Sequence, residues 1–186
     1  MGGVFPGIQA HRRRAELIVM NTKANPIQSA LNQDEESLAT AQSIQLRIAR
    51  SAYREMLEML MAKPVESGGI LLGPIGCEDV THFHFDASAA CTGATYSPDH
   101  IALNKLLRDE WIPSGIDFKG FSHSHPDGVD RLSAGDLRYI RRLLAKNEDM
   151  DQFAAPLLVP GAYQLVPLVV PRAEPNQPHI AELVLF

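Results

Sequence analysis

The stretch Gly120-Phe121-Ser122-His123-Ser124-His125-Pro126-Asp127-Gly128, continued by Ser133-Ala134-Gly135-Asp136, governs how the rest of the chain is read. On an extended strand, residues two apart point to the same face, so His123 and His125 can reach one metal ion together. Ser122 and Ser124 are small and point the other way, which lets the opposite face pack closely. Pro126 ends the strand, and Asp127-Gly128 is a turn signal. Asp136 then falls in the first turn of the next helix, eleven residues after His125. Two imidazoles and one carboxylate leave a tetrahedral Zn²⁺ one open position, which is the arrangement of a catalytic rather than a structural site. Water at such a site has its pKa lowered to about 7, so hydroxide is available at neutral pH. Ser133-x-x-Asp136 also reads as a helix capping box, which needs no function. The two roles are compatible, because an Asp in the first turn is held rigidly either way.

Outward from this stretch the chain alternates between short apolar runs and amphipathic segments. Upstream, Ser67 to Gly73 reads as a short buried strand, and Val80 to Asp86 as a half-buried one. The latter puts Phe83 and Phe85 on one face and His82, His84 and Asp86 on the other. This second H-x-H lacks the surroundings of an open pocket and reads as an accident of alternation, with a further metal site as the alternative. Ser97 is the expected N-cap of a helix with Pro98 in its first turn. Ile116 to His125 is predicted as a strand, and Ala134 to about Lys146 as a helix. Further upstream, Ile44, Ile48, Ala52, Met56 and Leu60 recur every four residues, which predicts one amphipathic helix over residues 42–62, ended by Pro64. Its stripe is expected on the domain core, with a partner-binding face as the alternative. The C-terminal third carries apolar runs punctuated by Pro160-Gly161, Pro167, Pro171 and Pro175, the pattern of further strands and edges. The final run, Ile180 to Phe186, reads as a docked strand or a truncation boundary. The sum is an α+β domain over residues 42–186, with its core at 64–171, behind a poorly ordered extension over residues 1–41. Within that extension, Met20 is a second candidate start.

Composition narrows the class. The chain has 186 residues, and 17 Lys and Arg against 22 Asp and Glu give a net charge of −5. An acidic chain of this size has no electrostatic footprint for coating nucleic acid. Its apolar stretches are too short and too broken for a membrane helix. Cys77 and Cys91, the two cysteines, form neither a C-x-x-C motif nor a disulfide framework. Glu16 interrupts the apolar stretch after Arg12-Arg13-Arg14, so no export signal is read and a cytoplasmic location is expected.

Two separated motifs, in this order, resemble the JAMM (MPN+) metalloprotease family. The downstream one is H-x-H followed by ten residues and Asp, as at His123, His125 and Asp136. The upstream one is a Glu just before a Gly-rich apolar strand, as in Pro64-Val65-Glu66-Ser67-Gly68-Gly69-Ile70-Leu71-Leu72-Gly73. The resemblance covers about Pro64 to Pro171. It implies an MPN/JAB domain of the cytidine-deaminase-like kind, a mixed β-sheet flanked by helices, with a helical N-terminal extension. It further implies one Zn²⁺ per chain, ligated by His123, His125 and Asp136. By the same resemblance Glu66 is the general base that takes a proton from the attacking water and delivers it to the leaving amine. Ser133 hydrogen-bonds the oxyanion. The implied activity is hydrolysis of the peptide or isopeptide bond after the C-terminal glycine of a ubiquitin-like protein. That protein's conjugates are the implied substrates, and the pathway's activating and conjugating enzymes are potential companions. Gly68 and Gly69 would suit close approach of a substrate backbone, or mark a bulge. Ser122 stands where eukaryotic relatives often carry a large aromatic. After Asp136 the chain has one histidine, His179, and no cysteine, so the second zinc site of some eukaryotic members is not expected. The compact form and the H-S-H-P-D-G wording are most similar to bacterial members.

Three readings compete. One is a deconjugating or tail-processing zinc peptidase, with removal of a single amino acid from a sulfur-carrier protein as a close variant. Another is a non-catalytic assembly module that docks through the 42–62 helix. The last is a DNA-linked role, since the RadC-like branch carries a similar motif; the acidic charge argues against it.

Overall fold

The computed structural model describes residues 44–63, 66–92 and 95–186; the expected extension over residues 1–41 lies outside them. The first strand, β1, is Gln45–Ile48, followed by helix α1 at Arg50–Met61. Next come β2 (Gly68–Pro74), β3 (His82–Phe85), β4 (Ala90–Thr92) and β5 (Thr95–Ser97). Helix α2 (His100–Leu106) leads through a wider turn of helix at Leu107–Trp111 into β6 (Ile116–Ser124). Helix α3 is Ala134–Lys146, and β7 (Gln152–Ala154), β8 (Leu157–Val159), β9 (Gln164–Val166), β10 (Leu168–Pro171), β11 (His179–Ile180) and β12 (Glu182–Leu185) complete the chain.

A mixed eight-stranded sheet runs in the order β11-β10-β7-β6-β2-β3, with β8 also pairing to β6 and β9 pairing to β8. β6 lies at its centre, antiparallel to β2 and parallel to both β7 and β8. Each face of this sheet carries its own core. Ile70, Leu72, Phe118 and Phe121 meet Leu103, Leu107, Ile140 and Leu143 on one side. Leu71, Phe83, Leu158 and Val169 meet Ala52, Met56 and Leu60 of α1 on the other. Every third or fourth residue of α1 is therefore covered by the sheet, and the docking face imagined for the helix is used up internally.

The expected helix over 42–62 is corrected at its first half. Residues 45–48 form β1, which pairs in parallel with β12 so that Leu46 faces Leu183 and Ile48 faces Leu185. A spacing of four fits a period of two as well as one of 3.6; Leu46, between Ile44 and Ile48, belongs to the strand reading. The run Ile180 to Phe186 accordingly contains a docked strand. The helix cap expected at Ser97 is also corrected. Asp99 caps α2, its Oδ1 accepting from the N–H groups of Ile101 and Ala102 at 3.2 and 3.1 Å, while Ser97 ends β5. Aspartate competes well here because its carboxylate also answers the partial positive charge of the helix start.

One irregularity positions the site. Between β2 and β6, Leu71 pairs with Gly120 and Leu72 with Phe118, leaving Lys119 as an extra residue in a β-bulge. Gly120 takes φ +155°, and a Cβ there would lie 1.9 Å from the carbonyl oxygen of Ala154. The bulge resets the alternation of β6, so Phe118 and Phe121 share a face, and His123 and His125 continue it.

Candidate metal centre

His123 and His125 leave the end of β6 deeply buried, 1% and 3% exposed. The strand ends at Ser124, one residue before the expected His125, yet the His125 N–H still donates to the Leu158 carbonyl at 2.8 Å. Ser122 and Ser124 point away as expected. The Ser122 hydroxyl donates to the Pro156 carbonyl at 2.8 Å, and the Ser124 hydroxyl accepts from the Ser67 N–H at 3.3 Å.

Two carboxylates converge on the imidazoles from separate elements. Glu66 precedes β2 with φ 62°, a left-handed conformation costly for any residue with a Cβ. Its N–H donates to the Ser124 carbonyl at 2.9 Å, which fixes it beside the end of β6. Its side chain, 7% exposed, brings an oxygen within 4.8 Å of ligand nitrogens of both histidines. Asp136 arrives from the first turn of α3, with Oδ1 3.7 Å from His123 Nε2 and Oδ2 3.8 Å from His125 Nε2. The capping box is present as well: Asp136 Oδ2 accepts from the Ser133 N–H at 2.7 Å, and Ser133 Oγ from the Asp136 N–H at 3.1 Å. The helix cap is therefore what holds the carboxylate toward the imidazoles. All five residues singled out in the sequence, Glu66, His123, His125, Ser133 and Asp136, come to one place.

The donor set fits a cation. The two Nε2 atoms face each other at 2.8 Å, and both Nδ1 atoms are buried without a hydrogen-bond partner. Burial pushes the pKa of His123 down to about 4, Asp136 pulling it up and His125 adding to the fall. Imidazoles with converging nitrogens, two carboxylates beside them, are the ligands a divalent metal takes. Burial raises the Glu66 carboxyl, with the charge of His125 opposing and that of Asp136 reinforcing. A carboxyl shifted in this direction is a better proton acceptor at neutral pH than an ordinary glutamate.

A groove of about 490 Å³ opens over these groups, between β5 and α3. Tyr96 and Tyr139, which sequence reasoning did not single out, line it. Tyr96 stacks on His123 with ring centroids 5.8 Å apart and planes at 21°. Its hydroxyl donates to Asp86 at 3.4 Å. Tyr139 lies one helical turn beyond Asp136, a spacing that carries a usable signal; Tyr96 reaches the site through the β4–β5 hairpin, for which no local pattern exists. The small size of Gly68 serves the same contact. A Cβ on it would meet the Tyr96 ring at 2.7 Å, and one on Gly69 would meet the His84 carbonyl at 2.3 Å, so both close approaches are internal.

The chain matches the family of prokaryotic homologs of the JAB domain over residues 42–177. Among solved structures it is similar to a protein from Desulfitobacterium hafniense, at 19% identity and a TM-score of 0.57, over 76% of this chain and 92% of that one. It is likewise similar to a protein from Salinibacter ruber, at 20% identity and a TM-score of 0.51, over 76% and 92%. A JAB1/MPN domain protein from Archaeoglobus fulgidus matches at 17% identity and a TM-score of 0.44, over 75% and 99%. At such identities the likeness is one of fold. No curated protein matches the chain.

Proposed function

This chain belongs to the prokaryotic JAB-domain family, and on that premise we propose that it is a zinc-dependent peptidase or isopeptidase. Its substrate in this reading is a bacterial ubiquitin-like protein, cut after the C-terminal glycine to release a conjugate or mature the tail. The observation that carries the reading is the convergence of two buried imidazoles and two carboxylates at the floor of one open groove.

His123, His125 and Asp136 would hold the metal, which when bound supplies a Lewis acid that polarises a carbonyl and acidifies water. The chain's own groups do the rest. Glu66, with its proton affinity raised by burial, takes a proton from the attacking water and returns it to the departing amine. The Ser133 hydroxyl accepts from the Asp136 N–H, which leaves its own hydrogen free to donate to the developing oxyanion. The exposed backbone of the β4–β5 hairpin and the apolar flank of the groove suit an extended, glycine-ended tail.

The test joins metal content to turnover. Protein purified without chelator is analysed for zinc and offered a Gly-Gly-ended ubiquitin-like protein fused to a folded reporter, or carrying a single added amino acid. About one zinc per chain with cleavage after the terminal glycine supports the reading, and the better substrate tells deconjugation from amino acid release. Zinc binding with no cleavage of either substrate, and a biological role unchanged in Glu66→Ala, would favour a non-catalytic module.

A further inference from the structure

A ligating histidine is usually aimed by a hydrogen bond from the ring nitrogen that faces away from the metal. The two Nε2 atoms of His123 and His125 converge here, yet both Nδ1 atoms are buried with no hydrogen-bond partner among the described residues. The orientation of the His123 ring must then come from the rings packed around it. Phe121 meets it tilted, with centroids 5.5 Å apart and planes at 53°. His125 meets it edge-on, at 4.6 Å and 70°. Of the three rings against it among the described residues, Tyr96 is the one that lies nearly parallel, at 5.8 Å and 21°. Offset stacking of this kind fixes a ring plane as well as filling space.

The fold builds a seat for that ring. Gly68 stands opposite His123 in the pairing of β2 with β6. A Cβ on Gly68 would lie 2.7 Å from the Tyr96 ring and 2.9 Å from the His123 Cβ, so the missing side chain is what lets the two rings meet. The far end of Tyr96 is tied to Asp86, whose Oδ2 accepts from its hydroxyl at 3.4 Å. Asp86 is 5% exposed, and it accepts from the N–H groups of Asp99 at 2.8 Å and Ser88 at 3.2 Å. Its own N–H donates to the Gly68 carbonyl at 3.0 Å, which closes the frame on β2. We propose that Tyr96 is a positioning residue of the metal centre, its ring face holding the His123 imidazole so that Nε2 turns to the ion. The role rests on His123 being a ligand, as in the function proposed above. It gives the β4–β5 hairpin a part in holding the metal, beyond its place at the flank of the groove.

The experiment uses the whole chain, loaded with Co²⁺, whose visible absorption bands follow ligand geometry, and with Zn²⁺ in competition with a chelator. Tyr96 also lines the groove, so turnover would mix two effects, whereas both of these readouts see the metal alone. Tyr96→Leu, which keeps apolar bulk and removes the flat face, should shift the cobalt bands and hold zinc about 10- to 100-fold more weakly. Tyr96→Phe, which keeps the face, should match the wild type in both. Unchanged bands and unchanged zinc affinity in Tyr96→Leu would overturn the proposal even if the melting temperature falls, since a ring that only fills space does no more than that. An equal loss in Tyr96→Phe would overturn it as well, by moving the role to the hydroxyl. A wild-type chain that takes up neither ion would bring down the metal centre itself and this role with it, a failure that shows before any variant is made. Tyr96→Ile, with its higher strand propensity, gives the same comparison if Tyr96→Leu does not fold.

Discussion

His82 and His84 stand two residues apart on β3 just as His123 and His125 do at the end of β6, and both pairs face the same side of the sheet. The register makes this plain: Ile70 pairs with His84 on one side and Phe121 on the other, two residues from Gly68 opposite His123. The neighbourhoods differ. β3 is the edge of the sheet. There His82 shares a hydrogen bond with the Thr81 hydroxyl at 2.8 Å and sits 5.0 Å from the Trp111 ring, while His84 stays half-exposed. Asp86, the residue that extends the pattern, turns inward and accepts from the N–H groups of Asp99 and Ser88 at 2.8 and 3.2 Å. β6 is central, and its histidines are driven into the interior where carboxylates from β2's approach and α3's first turn meet them. A motif of two histidines becomes a ligand pair when the fold brings acids to it and takes water away.

The largest effect should separate the two pairs. His123→Ala is expected to lose bound zinc and to bring turnover to background, whereas His84→Ala keeps about one zinc per chain; elemental analysis of both variants side by side makes the comparison. Zinc retained in His123→Ala would move the metal away from β6. Next comes Glu66→Gln, which should lower kcat by about 10² to 10⁴ while the zinc content stays. If zinc leaves with the carboxylate, Glu66 is a ligand rather than the base, a role its position within reach of both imidazoles also permits.

Ser133→Ala should cost about 10² in kcat and about 1 kcal/mol of stability through the lost cap. A loss of stability with unchanged kcat would leave Ser133 only its capping role. The pH dependence of the metal-free protein is smaller. Folded His123 titrates near 4 and the unfolded residue near 6.5, so between those values the unfolded chain takes up a proton that the folded one refuses. Stability contributed by His123 is full above 6.5 and falls as pH drops toward 4. Glu66, shifted upward, works in the opposite sense and blunts the fall. Denaturant titrations at pH 7, 5.5 and 4.5 should show the decline, and a rise toward acid would mean Glu66 outweighs His123. The smallest effect belongs to His84→Ala, a change within about 0.5 kcal/mol that leaves turnover unaltered.

What could be read in advance was local. Helix α3 occupies Ala134–Lys146 as its pattern requires, because Ser133, Asp136 and the spacing of Ile140, Leu143 and Leu144 all lie within its own four turns. The H-x-H pair was legible as a candidate because it sits at the end of a strand marked by its own residues, whereas Glu66, by itself an ordinary acidic residue before a strand, was singled out only by the resemblance to a known family. β1 was not: its partner lies some 137 positions away, between Gln45 and Glu182, and nothing near Leu46 records that pairing. The bulge at Lys119 was equally hidden, since it exists only in the mismatch between β6 and β2. Tyr96 over His123 depends on a hairpin folding back across Gly68, a contact with no periodicity to betray it.

The clasp of β1 with β12 bears on how the protein is made. On the ribosome, β1 and α1 emerge early, yet the strand that covers Leu46 and Ile48 is synthesised almost at the end of the described chain. Closing so long a loop is slow compared with local hairpins. Until it closes, β1 offers an unpaired edge with two large aliphatic side chains, the kind of surface that chaperones hold and that aggregates seed from. The residues of the candidate metal centre, from Glu66 to Asp136, are translated well before that moment. The nascent chain therefore holds every residue of the candidate site before its outer strands are joined.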